Sequence, residues 1–586
     1  MPDGAVVARR APSGGFVDIQ KARALLEAPG NGFEVTTEQC HGRPLPVFKT
    51  RERSMREKVQ NAAAAHGASS FLAYGEANIT YKDFGELVWG SAHALVEDHG
   101  LQRGDRIGIL AYNRPEWLIA LFGATSAGGV GVGLNGFWHA DEIVYALRDS
   151  GCRYLIVDEQ LYDRVAPVLG AIQQLERVFF IGHDANNAPM GTVPIDALLR
   201  RRRDPPTIPI DEDDPWVILY TSGTTGRAKG CITTHRGTLA QVQGVLHTYL
   251  LSVLTRRAPA QRPNADGPTW ALTILLTSPL FHVGGLHSTV CSAMTAGTRL
   301  VFAPPRFDPE QIMALIERER VTTWMAIPTM LQRVLDHPKL GEFDLSSLQN
   351  LLMGGAPVSP DLLQKASRVL PCKSASGVTY GLTETHGMAA SITPAELEQK
   401  RGSVGRPMPL VQVRIVGANH EPLPPRQAGE ICLRGCTVTP GYWNRPEETS
   451  EVVRDGWLHT GDIGFLDEDG YLYISDRAKD MILRGGENVY CVEIENCISD
   501  HPEIEEAAVI GVPDHDLGER VMAIVRRRPD SDIDALRVQA HVAQSLAKFK
   551  VPEIVQFTEY PLPRNVAGKL LKNALRDSHA TTVGTR

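Results

Sequence analysis

The stretch "YTSGTTGRAKG", residues 220–230, decides the fold, because ordinary core strands and helices lack its composition. It follows "VILY", a buried-strand pattern, and precedes "THRGTLAQVQGVLHTYL", a helical pattern. We therefore predict a loop that connects a strand to a helix. Its glycines permit positive φ and let successive backbone N–H groups point into one concavity, where hydroxyls and Lys229 add donors and charge. The pattern predicts a cradle for an anion, most naturally the phosphates of a nucleotide.

A surface hairpin and a P-loop are the two alternatives to this nucleotide cradle. A flexible surface hairpin of small residues would share the composition, but the flanking strand and helix favour a binding loop. A P-loop NTPase would require G-x-x-x-x-G-K-[ST], whereas Lys229 lies between Ala228 and Gly230. The sequence therefore argues against a Walker A loop.

Short apolar strands and helical segments alternate on both sides of this loop. "RIGILAYN", "RYLIVD" and "TTWMAIPTML" are strand patterns of this kind, and the alternation is typical of an α/β domain with a largely parallel sheet. After about Ser403, "VQVRIVG", "GEICLRG" and "GYLYISD" are separated by Gly- and Asp-rich turns, which predicts a small antiparallel or barrel-like subdomain. Beyond Arg477 strands and helices alternate again, as in a separate C-terminal domain.

Composition limits the class of protein. The chain has 586 residues, too many for one hydrophobic core, and 43% of them are apolar. A net charge of −8 argues against a nucleic-acid partner. Nine scattered cysteines without a CxxC pair, and an N-terminus without an apolar signal region, predict reduced thiols and a cytoplasmic location. The uncharged stretch from Trp117 to Trp138 is broken by glycines, so we predict a buried helix and strand there and no integral membrane segment.

Further motifs follow the loop in a fixed order, and together they carry a resemblance. They are "PLFHVGG" (279–285), "MGGAP" (353–357), "YGLTET" (380–385), "GEICLRG" (429–435), "GWLHTGDIG" (456–464), "DRAKDMILRGGENV" (476–489) and "LPRNVAGK" ending at Lys569. This set resembles the adenylate-forming superfamily of acyl-CoA synthetases, adenylation domains and luciferases, over about residues 50–575. The family usually has proline where Ala228 stands here, which we expect to alter the stiffness of the loop and not its binding.

The resemblance implies an α/β fold in which a large domain with two α/β sheets and a small β-barrel precedes a small, mobile α+β domain. We place an N-terminal extension at residues 1–50, the large domain at 51–476 and the small domain at 477–586, with a hinge near Lys479. It also implies an AMP-forming acyl-CoA synthetase that uses ATP, Mg²⁺ and coenzyme A. Such an enzyme joins a carboxylic acid to AMP, releases pyrophosphate and passes the acyl group to the thiol. Its partners are small molecules, and a homodimer is left open.

The implied catalytic residues are those that would meet negative charge at the α-phosphate. Lys569 would reach the reacting carboxylate and the α-phosphate, although a lysine in "GKLLKNALR" alone would be taken for an exposed residue. Glu384 would hold Mg²⁺ through oxygen, and Thr383 would contact phosphate. The implied catalytic set is Lys569, His282, Glu384 and Thr225.

The resemblance also implies the residues around ATP. Small residues would form one wall of the adenine site, Tyr380 would stack on the other face, and Asp462 and Arg477 would bind the ribose. Without the other motifs, the Gly-Asp pair at Asp462 would be taken for a simple turn. The implied ATP contacts are Thr221, Ser222, Gly223, Thr224, Thr225, Lys229, Gly355, Ala356, Pro357, Thr379, Tyr380, Gly381, Thr383, Asp462, Arg477 and Lys569.

The implied acyl pocket points to an uncharged acid. Adenylation domains that activate amino acids typically have an aspartate where His282 follows Phe281 here, so a hydrophobic carboxylic acid is favoured. The implied pocket residues are His282, Val283, Gly284, Met353, Gly354, Val378 and Met388, with Gly285 beside them, and the glycines predict room for a bulky acyl group. The implied residues of the coenzyme A tunnel and hinge are Lys479, Gly485 and Gly486.

Two alternatives stay open at the level of sequence. The chain could pass the acyl group to a carrier protein or an amine, because the same adenylate chemistry would serve both acceptors. It could also be an inactive nucleotide-binding scaffold, although the presence of Lys229, Glu384, Asp462, Arg477 and Lys569 argues against that.

Overall fold

A computed structural model describes most of the chain. The described residues are 19–183, 187–221, 227–255, 272–353, 360–372, 374–477, 480–484, 487–514, 517–529, 531–564 and 570–583.

The strands of the described residues are as follows, in chain order. They are β1 (Val35–Cys40), β2 (Arg43–Phe48), β3 (Ser70–Tyr74), β4 (Ala77–Thr80), β5 (Arg106–Leu110), β6 (Val130–Gly133), β7 (Cys152–Asp158), β8 (Arg177–Ile181), β9 (Val193–Pro194), β10 (Pro215–Thr221), β11 (Lys229–Thr234), β12 (Thr273–Leu276), β13 (Arg299–Phe302), β14 (Thr323–Ala326), β15 (Asn350–Met353), β16 (Ser374–Leu382), β17 (Gly387–Ile392), β18 (Ser403–Pro407), β19 (Gln412–Val416), β20 (Gly429–Arg434), β21 (Val453–Arg454), β22 (Trp457–Leu466), β23 (Leu472–Arg477), β24 (Ile482–Arg484), β25 (Glu487–Val489), β26 (Ile504–Asp514), β27 (Gly518–Arg527) and β28 (Ile554–Thr558).

The α-helices of the same residues are given next, in chain order. They are α1 (Ile19–Glu27), α2 (Met55–His66), α3 (Tyr81–Glu97), α4 (Pro115–Ser126), α5 (Ala140–Ser150), α6 (Glu159–Leu169), α7 (His235–Thr255), α8 (Ser292–Ala296), α9 (Pro309–Glu319), α10 (Pro328–Leu335), α11 (Pro360–Val369), α12 (Pro394–Gln399), α13 (Pro446–Val452), α14 (Cys491–Ser499), α15 (Ala535–Ser545) and α16 (Lys572–Val583).

The first α/β sheet contains the strand that leads into the opening loop. Within the described chain it has seven strands in the order β11-β10-β6-β5-β7-β8-β9. Strands β5 to β8 and β10 pair in parallel, as expected for strands that alternate with helices, and β11 pairs antiparallel with β10 at the edge. The stretch after Trp117 forms the buried end of α4 and then β6, as predicted. In the described residues we find no helix with the length and apolar character needed to cross a bilayer.

The second sheet contains both the predicted α/β strands and the predicted antiparallel strands after Ser403. Among the described residues it has fourteen strands, in the order β19-β20-β22-β23-β18-β17-β16-β15-β14-β12-β13-β3-β4 with β21 paired to β22. Strands β12 to β16 pair in parallel, and from β16 to β19 the pairing is antiparallel. The α/β class is confirmed. The strands after Ser403 are antiparallel as predicted, but they extend this sheet, and no barrel closes among the described residues.

The C-terminal segment forms a smaller sheet of its own. In the described residues it has five strands, in the order β25-β24-β27-β26 with β28 beside β27. Its strands are antiparallel apart from the parallel β27–β28 pair, and α14 packs on β26. This arrangement is α+β, as the resemblance implied. Lys479, the implied hinge, lies outside the described residues.

The N-terminal extension packs on the large domain from residue 19 onward. Helix α1 contacts α7, and Phe33, Cys40 and Phe48 are buried in one cluster with Ala240 of α7. The side chain of Arg51 is 1% exposed and its guanidinium lies between the carboxylates of Glu38 and Glu212. A buried arginine between two carboxylates fixes the hairpin β1–β2 to the large domain.

Candidate functional site

The opening loop connects two antiparallel strands, so the prediction of a strand-to-helix loop was wrong. Thr221 is the register partner of Lys229, and Tyr220 is that of Gly230. The backbone bonds of this ladder continue to Thr234, and α7 begins only at His235. Lys229 therefore lies at the start of an edge strand, and the next described helix is α7. Four predicted contacts, Ser222, Gly223, Thr224 and Thr225, lie outside the described residues.

Lys229 and Glu384 meet at one tyrosine that sequence reasoning missed. The Lys229 Nζ atom lies 5.4 Å from the centre of the Tyr442 ring. The Tyr442 hydroxyl donates a 2.8 Å hydrogen bond to Glu384 Oε1. Burial raises the pKa of Tyr442 and the nearby Glu384 carboxylate raises it further, so the hydroxyl stays protonated and acts as the donor. The structure thus brings the predicted phosphate lysine and the predicted metal carboxylate together.

The backbone around Tyr442 fixes this arrangement. The Trp443 N–H donates to the Gly230 carbonyl at 2.7 Å, and the Thr439 N–H donates to the Glu384 carbonyl at 2.8 Å. Thr439 also donates its hydroxyl to the Ile232 carbonyl at 2.7 Å. One segment therefore bonds to β11 and to the turn after β16. No local pattern in the sequence marks it, since Tyr442 lies far from Glu384 along the chain.

Glu384 is suited to a hard cation. It lies in the turn Thr383–Thr385, which follows β16. Tyr442 bonds to Oε1, and no described residue donates a hydrogen bond to Oε2. Mg²⁺ prefers oxygen ligands and usually binds proteins through one or two carboxylates with water and phosphate as the remaining ligands. The donor set at Glu384 therefore fits this ion.

A second polar cluster forms where β16 and β22 approach each other. The Tyr380 hydroxyl donates a 2.7 Å hydrogen bond to Asp462 Oδ2, and Asp462 is 4% exposed. Arg477 is the register partner of Asp462 on β23. The three residues predicted around the adenosine therefore share one part of the sheet. Gly381, next to Tyr380, is required by packing, because a Cβ there would lie 1.9 Å from the Gly387 carbonyl oxygen.

His386 is a second residue that sequence reasoning missed. It is fully buried with φ near 57°, its Nε2 accepts a 2.8 Å hydrogen bond from the Thr234 N–H, and its Nδ1 donates to the Thr437 carbonyl at 2.7 Å. It therefore bonds to β11 and to the segment that carries Tyr442. Burial lowers its pKa to about 3, so the imidazole is neutral in the folded protein.

We expect His386 to make the fold sensitive to acid. An unfolded histidine binds its proton near pH 6.5, so this contribution to stability is complete above pH 6.5 and is lost as the pH falls toward 3. His386→Gln should reduce the slope of the free energy of unfolding against pH by about 1.4 kcal/mol per pH unit below 6.5. Urea unfolding at pH 7.5, 6 and 5 measures this slope. The matched control is His183→Gln, because the His183 side chain is 94% exposed. An unchanged slope in the His386 variant would contradict the account.

The predicted acyl pocket is only partly described. His282 Nε2 is buried without a hydrogen-bond partner among the described residues, and burial lowers the pKa of His282 to about 4. A neutral imidazole with an unpaired nitrogen is a group that a ligand would satisfy. The helix that follows, Gly284–Cys291, has π-type hydrogen bonding, which is frequent at functional sites.

Gly284 and Gly285 differ in what a side chain at each position would contact. A Cβ on Gly285 would lie 2.2 Å from the Pro279 carbonyl oxygen, so close packing requires this glycine and the inference that it provides room was wrong. A Cβ on Gly284 would meet nothing within 4 Å, in keeping with open space there.

The remaining predicted pocket residues are distributed around β15, β16 and β17. Met353 ends β15 and is 2% exposed, in the same hydrophobic core cluster as Trp324. Val378 of β16 pairs with it in register, whereas Met388 lies on β17 and Val283 packs against the main core.

The other predicted site residues lie outside the described residues. They are Gly354, Gly355, Ala356, Pro357, Lys479, Gly485, Gly486 and Lys569. Their implied roles stay predictions.

Comparison with known proteins accounts for most of the chain. The AMP-binding enzyme family matches residues 59–443, and the AMP-binding enzyme C-terminal domain matches residues 493–569. The chain is 38% identical to a feruloyl-CoA synthase from Amycolatopsis sp, over 86% of this chain and 95% of the relative. It is 35% identical to the fatty acid–[acyl-carrier-protein] ligase ScoC of Streptomyces coeruleorubidus, over 85% and 91%.

A solved structure is also similar over most of the chain. The fold is similar to ATP-bound MatB from Rhodopseudomonas palustris, with a TM-score of 0.76 and 30% identity over 89% of this chain and 99% of that one. The predicted resemblance to adenylate-forming enzymes is confirmed. The chain belongs to the AMP-binding enzyme family.

Proposed function

We propose that the chain is an AMP-forming acyl-CoA synthetase that activates a hydrophobic carboxylic acid. ATP and the acid give an acyl-adenylate and pyrophosphate, and coenzyme A then takes the acyl group and releases AMP. The observation that carries the proposal is the contact of Lys229 and Glu384 with Tyr442, which brings a cation and a metal-type carboxylate to one place. Phosphoryl chemistry requires both, because negative charge gathers on the phosphate oxygens in the transition state.

Each described residue has a defined part in the first half-reaction. Lys229 neutralises phosphate charge, and Glu384 would hold Mg²⁺, which would supply further positive charge to the phosphates. Asp462 accepts hydrogen bonds from the ribose hydroxyls, and the hydroxyl of Tyr380 fixes the orientation of that carboxylate. The family resemblance adds Lys569 and Thr225 to these catalytic residues. Lys569 stabilises charge at the phosphorus under attack.

The second half-reaction uses a different part of the chain. The acyl-adenylate is a good electrophile because AMP is a good leaving group. We propose that the small domain turns about Lys479, which removes Lys569 from the adenylate and brings Gly485 and Gly486 to line the path of the thiol. Such a turn would let one pocket serve both reactions.

The acid is proposed to be uncharged apart from its carboxylate. The neutral imidazole of His282 offers no countercharge to a substrate amino group, and the space at Gly284 would accept acyl bulk. A panel of aromatic, long-chain aliphatic and polycyclic acids, assayed for AMP release and for acyl-CoA by mass spectrometry, tests this. Amino acids are the negative controls and should give no AMP release.

The same assay separates the alternatives. Acyl-adenylate without any acyl-CoA would favour transfer to a carrier protein, the acceptor in the name of the ScoC relative. Calorimetric binding of ATP without turnover of any acid would favour an inactive scaffold.

We also propose a cytoplasmic location, in keeping with nine free cysteines. We propose a homodimer as well, which analytical ultracentrifugation would test.

Tyr442→Phe is expected to raise the Mg²⁺ concentration needed for half-maximal adenylation by about tenfold. The variant loses only the hydroxyl that orients Glu384, and residues that orient a metal ligand affect metal affinity to this extent. Pyrophosphate exchange across a Mg²⁺ series measures the shift.

Tyr471→Phe is the control for this change. Tyr471 donates a similar 2.8 Å hydrogen bond to Glu396, a residue with no assigned part in the site. Equal Mg²⁺ requirements in the Tyr442 variant and the unchanged protein would show that Tyr442 does not position the metal carboxylate.

A further inference from the structure

Three potential metal ligands meet on the antiparallel part of the large sheet, away from Glu384. Glu430 is on β20, His459 is on β22, and His420 lies in the turn after β19. One ligand atom from each lies within 4.8 Å of the others. In the part of the chain that the structure describes, this is the one group of three histidine, cysteine or carboxylate ligands that meets this limit.

The three ligand groups are already close together. His459 Nδ1 lies 2.7 Å from Glu430 Oε2, and the centres of the His420 and His459 rings are 5.2 Å apart. Ligand atoms about 2.0–2.2 Å from a zinc-type ion would be slightly further apart than this nitrogen and oxygen, so small movements would suffice. His420 has φ near 62°, a left-handed backbone conformation within the turn.

Neighbouring groups define the chemistry of the site. Arg454 Nη1 donates to His420 Nε2 at 3.0 Å, so this nitrogen presents a lone pair to a cation. The thiol of Cys432 lies 3.5 Å from His459 Nδ1 and borders the two ligands on β20 and β22. Two imidazoles and one carboxylate are a ligand set typical of zinc and other first-row divalent metals.

We propose that His420, Glu430 and His459 bind one divalent transition-metal ion of the zinc class. The guanidinium of Arg454 occupies the cation position at His420, and metal binding displaces it. The site is distinct from the proposed Mg²⁺ position at Glu384 and does not depend on the proposed acyl-CoA synthesis.

Glu430 connects the proposed ion to the backbone beside Asp462, the proposed ribose contact. Glu430 Oε1 accepts a hydrogen bond from the Gly461 N–H at 3.1 Å, and Gly461 precedes Asp462. A metal on Oε2 would hold Glu430 in place and so order the backbone at the proposed ribose contact. We therefore expect the ion to act as a structural or modulating element and not as a reactant.

The test uses the full chain after dialysis against a chelator. Addition of Co²⁺ should give a visible absorption band that saturates at one equivalent, and Zn²⁺ should displace it. His420→Asn keeps a residue that tolerates positive φ but removes the imidazole, so it should weaken Co²⁺ binding about tenfold or more without unfolding the turn. His459→Gln should do the same. Arg454→Met removes the competing cation and should tighten binding about threefold.

A matched control removes a histidine–carboxylate pair that lacks a third ligand. His93 Nδ1 lies 3.0 Å from Glu97 Oε1 on α3, and His93→Gln should leave Co²⁺ binding unchanged. Thermal unfolding with and without Zn²⁺ gives a second readout, and the metal should raise the midpoint in the unchanged protein and not in His420→Asn. The proposal is overturned if the unchanged protein binds no Co²⁺, if His420→Asn binds as tightly, or if His93→Gln weakens binding equally.

Discussion

Glu384→Gln is expected to slow acyl-adenylate formation by about 10²–10³-fold. Glutamine keeps the size of the side chain and can still accept the hydrogen bond from Tyr442, so the fold around it should persist. It loses the negative charge, and a neutral amide holds Mg²⁺ poorly because hard cations favour carboxylate oxygen. Pyrophosphate exchange with a cognate acid, measured over a range of Mg²⁺ concentrations, gives the rate of this half-reaction alone.

The matched control is Glu396→Gln. Glu396 also accepts a hydrogen bond from a tyrosine, and its amide variant changes charge and size in the same way. Full exchange in this control, with loss in the Glu384 variant that high Mg²⁺ partly restores, would support a metal role. Full exchange by Glu384→Gln at low Mg²⁺ would contradict it.

Lys569→Ala is expected to reduce adenylation by about 10²–10³-fold while leaving thioester formation from a preformed acyl-adenylate within about tenfold of the unchanged rate. The reason is electrostatic: the lysine would neutralise charge that develops only during attack on the α-phosphate. Once AMP is attached, that charge no longer has to be stabilised at the same place. The two half-reactions are measured by pyrophosphate exchange and by the release of AMP from synthetic acyl-adenylate.

Lys548→Ala controls for loss of a positive charge in the same part of the chain, because Lys548 is exposed. Equal loss in both half-reactions would indicate damage to the small domain. Full adenylation by Lys569→Ala would remove the proposed role of this lysine.

The sequence predicted the fold class because periodicity is a local property. The alternation of apolar strands with helices around "RIGILAYN" and "RYLIVD" corresponds to β5 and β7 of a parallel sheet. The opening loop was the exception. "KGCITT" after the loop forms β11, and a short polar strand next to a helical pattern gives no distinct periodic signal.

The candidate site was predicted as residue types and motif order, not as contacts. Lys229, Glu384 and Asp462 could be named from their motifs, whereas Tyr442 and His386 could not. Their roles depend on hydrogen bonds between segments far apart in the chain, and pairings of that kind leave no spacing in the sequence.

The order of motifs from "YTSGTTG" to "LPRNVAGK" determined the family, because each motif is a short run of residue types that can be identified without knowing its contacts. Tertiary structure alone decided that β16 joins the parallel and antiparallel parts of one sheet, and that Tyr442 lies between Lys229 and Glu384. The physical reason is range: glycine conformations and apolar periodicity act over a few residues, whereas a hydroxyl 2.8 Å from a carboxylate depends on how whole strands pack.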